Sequence, residues 1–140
     1  MYGVVGGDAN AIAPNKRPLS SMTPTILVKD GVPAMAIGTP GGSRIFTSVF
    51  QVLVNVYDFG LSLEDAVAAL RFHHQLLPKD TITFEPYAPA PAGLARSLIM
   101  RGYRIDTQDF NGDIEAVQVQ GRTPIVAPDP RARGYGAVIP

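Results

Sequence analysis

The chain contains no cysteine, no tryptophan and only two histidines. Without cysteine there is no disulfide framework, no thiol nucleophile and no cysteine-ligated zinc, although this absence fits any compartment. His73 and His74 are adjacent. Neighbouring residues on a strand or helix point in different directions, so the pair suits packing or hydrogen bonding better than a shared metal. No His-x-x-x-His pattern or carboxylate cluster offers an alternative, and neither metal nor cofactor is expected. Charge is scarce and balanced, with 12 basic and 12 acidic residues. The longest basic run is Lys16-Arg17, which excludes a nucleic-acid or anionic-membrane surface. Long hydrophobic runs are missing too. The most apolar stretch, residues 45–61, is interrupted by Thr47, Ser48, Gln51, Asn55 and Asp58, so no membrane span is expected. The first 21 residues lack the basic and apolar regions of a signal peptide.

What is present suits a single unit spanning residues 1–140, with 46% hydrophobic residues to form a modest core. Residues 1–21 are rich in Gly, Asn and Pro and read as an extended loop. "TILVKDGVPAMAIG" then gives two β-prone runs joined by Asp30-Gly31, a dipeptide suited to the φ > 0 positions of a tight hairpin. Beyond Pro40 a helix is expected, with Ser43 as N-cap. Phe46, Val49, Phe50, Leu53, Val56 and Tyr57 recur at helical spacing along it, widened by Val52 and Val54, and this stripe reads as core. Gly60 separates it from a second helix, which Ser62 and Asp65 open as an approximate capping box ahead of "AVAALRF". After a proline-rich connection, "AGLARSLIMRG" predicts a short amphipathic helix stopped by Gly102. "YRIDTQ", "EAVQVQ" and "TPIVA" are strand-like, punctuated by Asn111-Gly112 and Gly121.

Two stretches carry candidate chemistry. In "TPGGSRIF", residues 39–46, two adjacent glycines precede a helix. Glycine lets another group approach the main chain, and a helix N-terminus presents unpaired N–H groups, so the stretch is either a plain turn or a holder of negative charge. A nucleotide loop is excluded by spacing, because neither the P-loop pattern nor G-x-G-x-x-G is met. In "RPLSSMTPT", Ser20 and Ser21 are adjacent hydroxyls that can donate to a carboxylate, although serine pairs in loops are usually turn or cap residues. Neither lies in a G-x-S-x-G elbow, so a serine hydrolase is unsupported.

Four blocks taken in order, "YGVVGGDANAIAPNKRPLSSMTPT", "GTPGGSRI", "RFHHQLLP" and "DPR", closely resemble the C-terminal part of the small subunit of γ-glutamyltranspeptidases. The resemblance implies an α+β fold, part of the four-layered αββα sandwich of N-terminal-nucleophile hydrolases. It implies a self-cleaving precursor whose exposed threonine attacks the γ-glutamyl amide of glutathione or related compounds, forming an acyl-enzyme resolved by water or an amino-acid acceptor. Position by position, Ser20 and Ser21, with Met22 alongside, match the pair that holds the substrate α-carboxylate. Gly41 and Gly42 match the oxyanion-hole pair. Arg44, Arg71, His73, His74, Asp129 and Arg131 also fall in matching blocks and read as structural supports. Leu70 stands where the family usually has proline. The nucleophilic threonine, the acidic segment that grips the substrate amino group and the large subunit all lie upstream in the family. The resemblance therefore implies an upstream small-subunit segment and a large subunit as partners, with a periplasmic or extracellular location. On this reading the chain alone is inactive, since its first residue is Met1 and no serine or threonine precedes Ser20. Uncovered sheet edges also lead us to expect self-association or a partner chain. The competing reading is a catalytically inactive remnant that binds carboxylates or completes another chain's sandwich.

Overall fold

The computed structural model describes residues 6–18, 20, 22–109, 111–132 and 134–139. Strand β1 (Thr25–Lys29) and strand β2 (Val32–Gly38) form the expected hairpin. Asp30 and Gly31 both have positive φ, 52° and 79°, which matches the right-handed twist of the paired strands. Helix α1 (Ile45–Tyr57) follows, then α2 (Leu63–Ala68), β3 (Phe72–His73), β4 (Thr81–Phe84), α3 (Ala92–Met100), β5 (Arg104–Thr107), β6 (Glu115–Gln120) and β7 (Thr123–Pro128).

The strands form two sheets. Four are antiparallel in the order β1-β2-β6-β7, so β2 pairs with a partner about 80 residues along the chain, Met35 facing Gln118. The other three run β3-β4-β5. In this second sheet β3 and β4 are antiparallel, whereas β4 and β5 are parallel and joined through α3. A parallel pair needs a crossover of this length, whereas a hairpin turn suffices for an antiparallel one.

Alternation along the four-stranded sheet separates its faces. Met35, Ile37, Ala116 and Ala127 point inward and meet Val49 and Val52 of α1 and Leu63, Ala66 and Val67 of α2 in the core. On the opposite face Ile26 and Val28 are more than half exposed, with Val117 and Val119 beside them. A sheet with helices on one face and an uncovered apolar second face is an α+β arrangement that forms one half of a layered αββα sandwich.

Helix α1 corrects two expectations. A 3₁₀ turn (Gly42–Arg44) precedes it and Arg44 occupies its N-cap, so Ser43 lies within that turn and caps nothing. The buried face is Ile45, Ser48, Val49 and Val52, whereas Phe46 and Phe50 are 57% and 64% exposed. The apolar residues nearly encircle this helix, so periodicity does not reveal which arc meets the sheet. Helix α2 begins as expected: Ser62 Oγ accepts the Asp65 N–H at 3.0 Å, and its hydroxyl donates to the Asp65 carboxylate at 2.7 Å. It ends at Ala68 rather than running through "AVAALRF", since Ala69 is already extended with ψ 153°. Helix α3 ends before Gly102, φ 91°, as predicted, but buries none of its residues. Among the described residues no helix is long and apolar enough to cross a membrane.

Candidate active site

Strand register gathers the motif blocks. Thr25 pairs with Ile37, Gly38 with Glu115, and Glu115 with Pro128. The segment before β1, the double-glycine turn after β2, the loop before β6 and the segment after β7 therefore all emerge at one end of the four-stranded sheet. This places Gly41-Gly42, Asn111-Gly112 and Asp129-Arg131 at one end of that sheet, with Ser20 five residues before β1.

At the turn, Gly41 has φ 142° and ψ 6°, and Gly42 has φ 59°. Both values lie where a side chain is disfavoured, which explains the requirement for two glycines. The Gly41 carbonyl accepts the Arg44 N–H at 3.2 Å and closes the turn. Its flanks are tied to the loop before β6. Thr39 Oγ1 accepts the Asp113 N–H at 2.7 Å and donates to the Pro40 carbonyl at 2.8 Å. Ser48, one turn into α1, donates its hydroxyl to the Asn111 carbonyl at 2.8 Å. Gly112, φ 91°, sits between these two hydroxyls, where a Cβ would come within 2.8 Å of Thr39 Oγ1. The leading N–H groups of such a turn have no acceptor inside it.

Behind the turn lies a buried charge network. Arg71 is 1% exposed and donates to the Val67 carbonyl at 2.9 Å, to the Gly112 carbonyl at 3.2 Å and to the Asp129 carboxylate. Asp129, also 1% exposed, accepts the N–H groups of Ile114 at 2.8 Å and Arg131 at 3.1 Å. Burial alone would raise its pKa, but these two N–H groups and the Arg71 charge outweigh burial and hold it below the usual carboxylate value. Arg131 bridges onward, its Nε 2.9 Å from both carboxylate oxygens of Glu85 and its Nη2 2.8 Å from the Ala69 carbonyl. Burial works against the Arg131 charge, but Glu85 and, less strongly, Asp129 together more than offset it and raise the pKa. Glu85 is fully buried and also accepts the Tyr87 hydroxyl at 3.0 Å. A buried charge persists only when paired and hydrogen-bonded, and each of these four is.

The sequence reading did not find Glu85, Asn111, Thr39 or Ser48. A lone acid in the strand-like "TITFEP" is the signal that could have drawn attention to Glu85.

His73 is buried, with Nδ1 2.9 Å from Thr47 Oγ1 and Nε2 2.7 Å from Gln75 Oε1, and burial lowers its pKa. Gln51 fastens the same strand to α1, exchanging two hydrogen bonds with the Phe72 backbone. His74 contributes Nδ1 to the Leu76 N–H at 3.3 Å and stacks edge-on against Tyr103. No group of three acidic or histidine side chains is placed to hold a metal among the described residues.

The serine segment is organised differently. Ser20 is exposed and accepts the Met22 N–H at 3.3 Å in a short local turn, and Met22 is 75% exposed. Ser21 lies outside the described residues. No hydrogen bond links Ser20 or Met22 to the glycine turn among the described residues, so the two parts share an end of the sheet without a direct connection.

Known proteins are similar to this chain in sequence and fold. The chain is 58% identical over 139 residues to a glutathione hydrolase proenzyme of Pseudomonas aeruginosa, covering 99% of this chain and 25% of that protein. It is 45% identical over 119 residues to the Escherichia coli glutathione hydrolase proenzyme, covering 85% of this chain and 20% of the relative. The chain thus spans about a quarter or less of the length of these relatives. A solved structure of a highly active mutant of gamma-glutamyltranspeptidase from Pseudomonas nitroreducens superposes with a TM-score of 0.93 at 58% identity, over 99% of this chain and 72% of that one. The sequence profile of the gamma-glutamyltranspeptidase family matches residues 1–139, and the chain belongs to that family.

Proposed function

We propose that this chain supplies one side of a γ-glutamyl transfer and hydrolysis site whose nucleophile lies on a segment outside it. The observation that carries the reading is the double-glycine turn, with both residues at positive φ and both flanks pinned by Thr39 and Ser48. In this reaction a threonine hydroxyl attacks the γ-glutamyl amide carbonyl while the threonine's own α-amine takes the hydroxyl proton. The carbonyl oxygen becomes an oxyanion, met by the N–H groups of the Gly41-Gly42 turn. Collapse of the intermediate expels the amine, which takes up the proton, and leaves a γ-glutamyl ester. Water or an acceptor amine then cleaves that ester by the same steps in reverse. Donors fixed before the reaction stabilise the oxyanion without reorganising, which is why a rigid turn suits the role. Ser20 and Ser21, with Met22 beside them, hold the substrate α-carboxylate. Glutathione is the type of substrate. An upstream small-subunit segment and a large subunit complete the site.

The test replaces Gly42 by Val in the full-length protein and follows release of chromophore from a γ-glutamyl anilide. Turnover is expected to fall roughly 10²–10³-fold, the scale seen when one oxyanion donor is lost. A folded Gly42→Val protein with near-normal kcat would reduce the double glycine to a turn. The 140-residue chain alone is expected to be silent and to gain activity only when mixed with a separately expressed upstream fragment. Turnover by the chain alone would place a nucleophile within it and overturn the proposal.

A further inference from the structure

A cleft of about 340 Å³ opens beside the double-glycine turn, with Ser43, Arg44, Thr83 and Gln108 on its wall alongside Leu77 and Pro78. Arg44 is held firmly at its backbone. Its N–H donates to the Gly41 carbonyl at 3.2 Å, and its carbonyl accepts the Thr47 hydroxyl at 3.0 Å. Its side chain is unmatched: Nε is buried without a hydrogen-bond partner, and no ion pair joins the guanidinium to a carboxylate among the described residues. Arg71 and Arg131, the other arginines drawn into the interior, each meet a carboxylate. Asp106 also lines the cleft but accepts the Thr107 N–H at 2.8 Å and makes no ion pair with Arg44. The ring nitrogens of His73 are already engaged by Thr47 and Gln75.

We propose that this cleft is a carboxylate subsite on the leaving-group side of the scissile amide, with the Arg44 guanidinium as its anchor and the Ser43 hydroxyl as a second donor. The inference rests on reading Gly41-Gly42 as the oxyanion hole. Arg44 follows Gly42 by two residues, so a carbonyl held at the turn has Arg44 close by. A two-residue leaving group places its terminal carboxylate about 7 Å from the scissile bond, at roughly 3.3–3.6 Å per residue. The planar guanidinium fork donates two parallel hydrogen bonds to a carboxylate, whereas an anilide leaving group offers it no such acceptor.

The same carboxylate chemistry could come from an acidic side chain elsewhere in the full-length protein, and the experiment separates the two sources. In the full-length protein, kcat/KM is measured for glutathione, for its C-terminal amide and for a γ-glutamyl anilide, in wild type, Arg44→Gln and Arg44→Lys. The ratio of glutathione to amide, high in wild type, is expected to fall roughly 10- to 100-fold in Arg44→Gln, the scale of losing one or two charge-assisted hydrogen bonds. The glutathione-to-anilide ratio should fall with it, and Arg44→Lys should recover part of the loss. Equal losses on all three substrates would mean that Arg44 pairs with an acidic side chain of the protein, and would overturn the subsite. A wild type indifferent to amidation of glutathione would overturn it without any mutation. Full turnover in Gly42→Val would refute the underlying site instead, so the two failures are distinguishable.

Discussion

The double-glycine turn and the Ser20 segment leave the same end of the four-stranded sheet, but the chain holds them very differently. The turn is fastened by Thr39 and Ser48 to residues 111–113, and that loop is fastened in turn to the buried Arg71 and Asp129. Ser20 has one local hydrogen bond, from the Met22 N–H, and stands exposed with Met22. An oxyanion hole gains from rigidity, because its donors must already point at charge that exists only briefly. A carboxylate clamp can close around a stable ligand and tolerate some reorganisation. On the proposed reading, the rigid turn suits the oxyanion hole and the loosely held Ser20 segment suits the carboxylate clamp.

If that contrast is correct, the largest effect comes from breaking the rigid side. Asp129→Ala leaves Arg71 buried without its counter-charge and should lower the unfolding free energy by roughly 3–5 kcal/mol, read by urea denaturation. A loss below about 1 kcal/mol would show that the network does not anchor the turn. The pKa of Asp129 lies below its ordinary value of 3.8, so its contribution is complete above that pH. It should vanish as pH falls from 3.8 through the lower folded value. Acid unfolding of Asp129→Ala should therefore be shallower than that of wild type in this window.

A change on the exposed side should alter catalysis and leave stability alone. Ser20→Ala in the full-length protein should cost roughly 1.5–3 kcal/mol in kcat/KM for a γ-glutamyl anilide, the value of one hydrogen bond to a charged group. Its melting temperature should match wild type, and unchanged kinetics would remove Ser20 from the site. Ser62→Ala calibrates both, because this helix cap belongs to neither part. A loss of about 1 kcal/mol in stability with no change in substrate use is expected.

The smallest effect sharpens the rigid side. Burial lowers the His73 pKa from 6.5, so the neutral ring is favoured in the folded state. Its stabilising contribution is complete above pH 6.5 and declines as pH falls from 6.5 to the folded value. His73→Gln should flatten the stability profile in that window, measured by denaturation across pH. An unchanged slope would show that His73 does not titrate with folding.

Particular residues show what could be read directly from the chain. Asp30-Gly31, Ser62 with Asp65, and Gly102 act within a few residues of themselves, and each predicted its own turn or cap. Phe46 and Phe50 were assigned to the core and lie outside it, because α1 is apolar nearly all round and only its neighbours choose the buried arc. Strand β4 went unrecognised, and its parallel pairing with β5 depends on a crossover through α3 that local propensity does not encode. Glu85 looked like an ordinary acid until the fold brought Arg131 against it from 46 positions away.

By itself the sequence determined the family, through four ordered blocks, and the local punctuation of hairpin, helices and turns, because φ preferences and capping hydrogen bonds are short-range. Only the tertiary structure decided that four loops emerge at one end of a sheet, that Arg71, Asp129, Arg131 and Glu85 neutralise one another, and that Arg44, unlike Arg71 and Arg131, meets no carboxylate among the described residues. Those outcomes depend on strand register and desolvation, which are properties of distant segments brought together and of the water excluded between them.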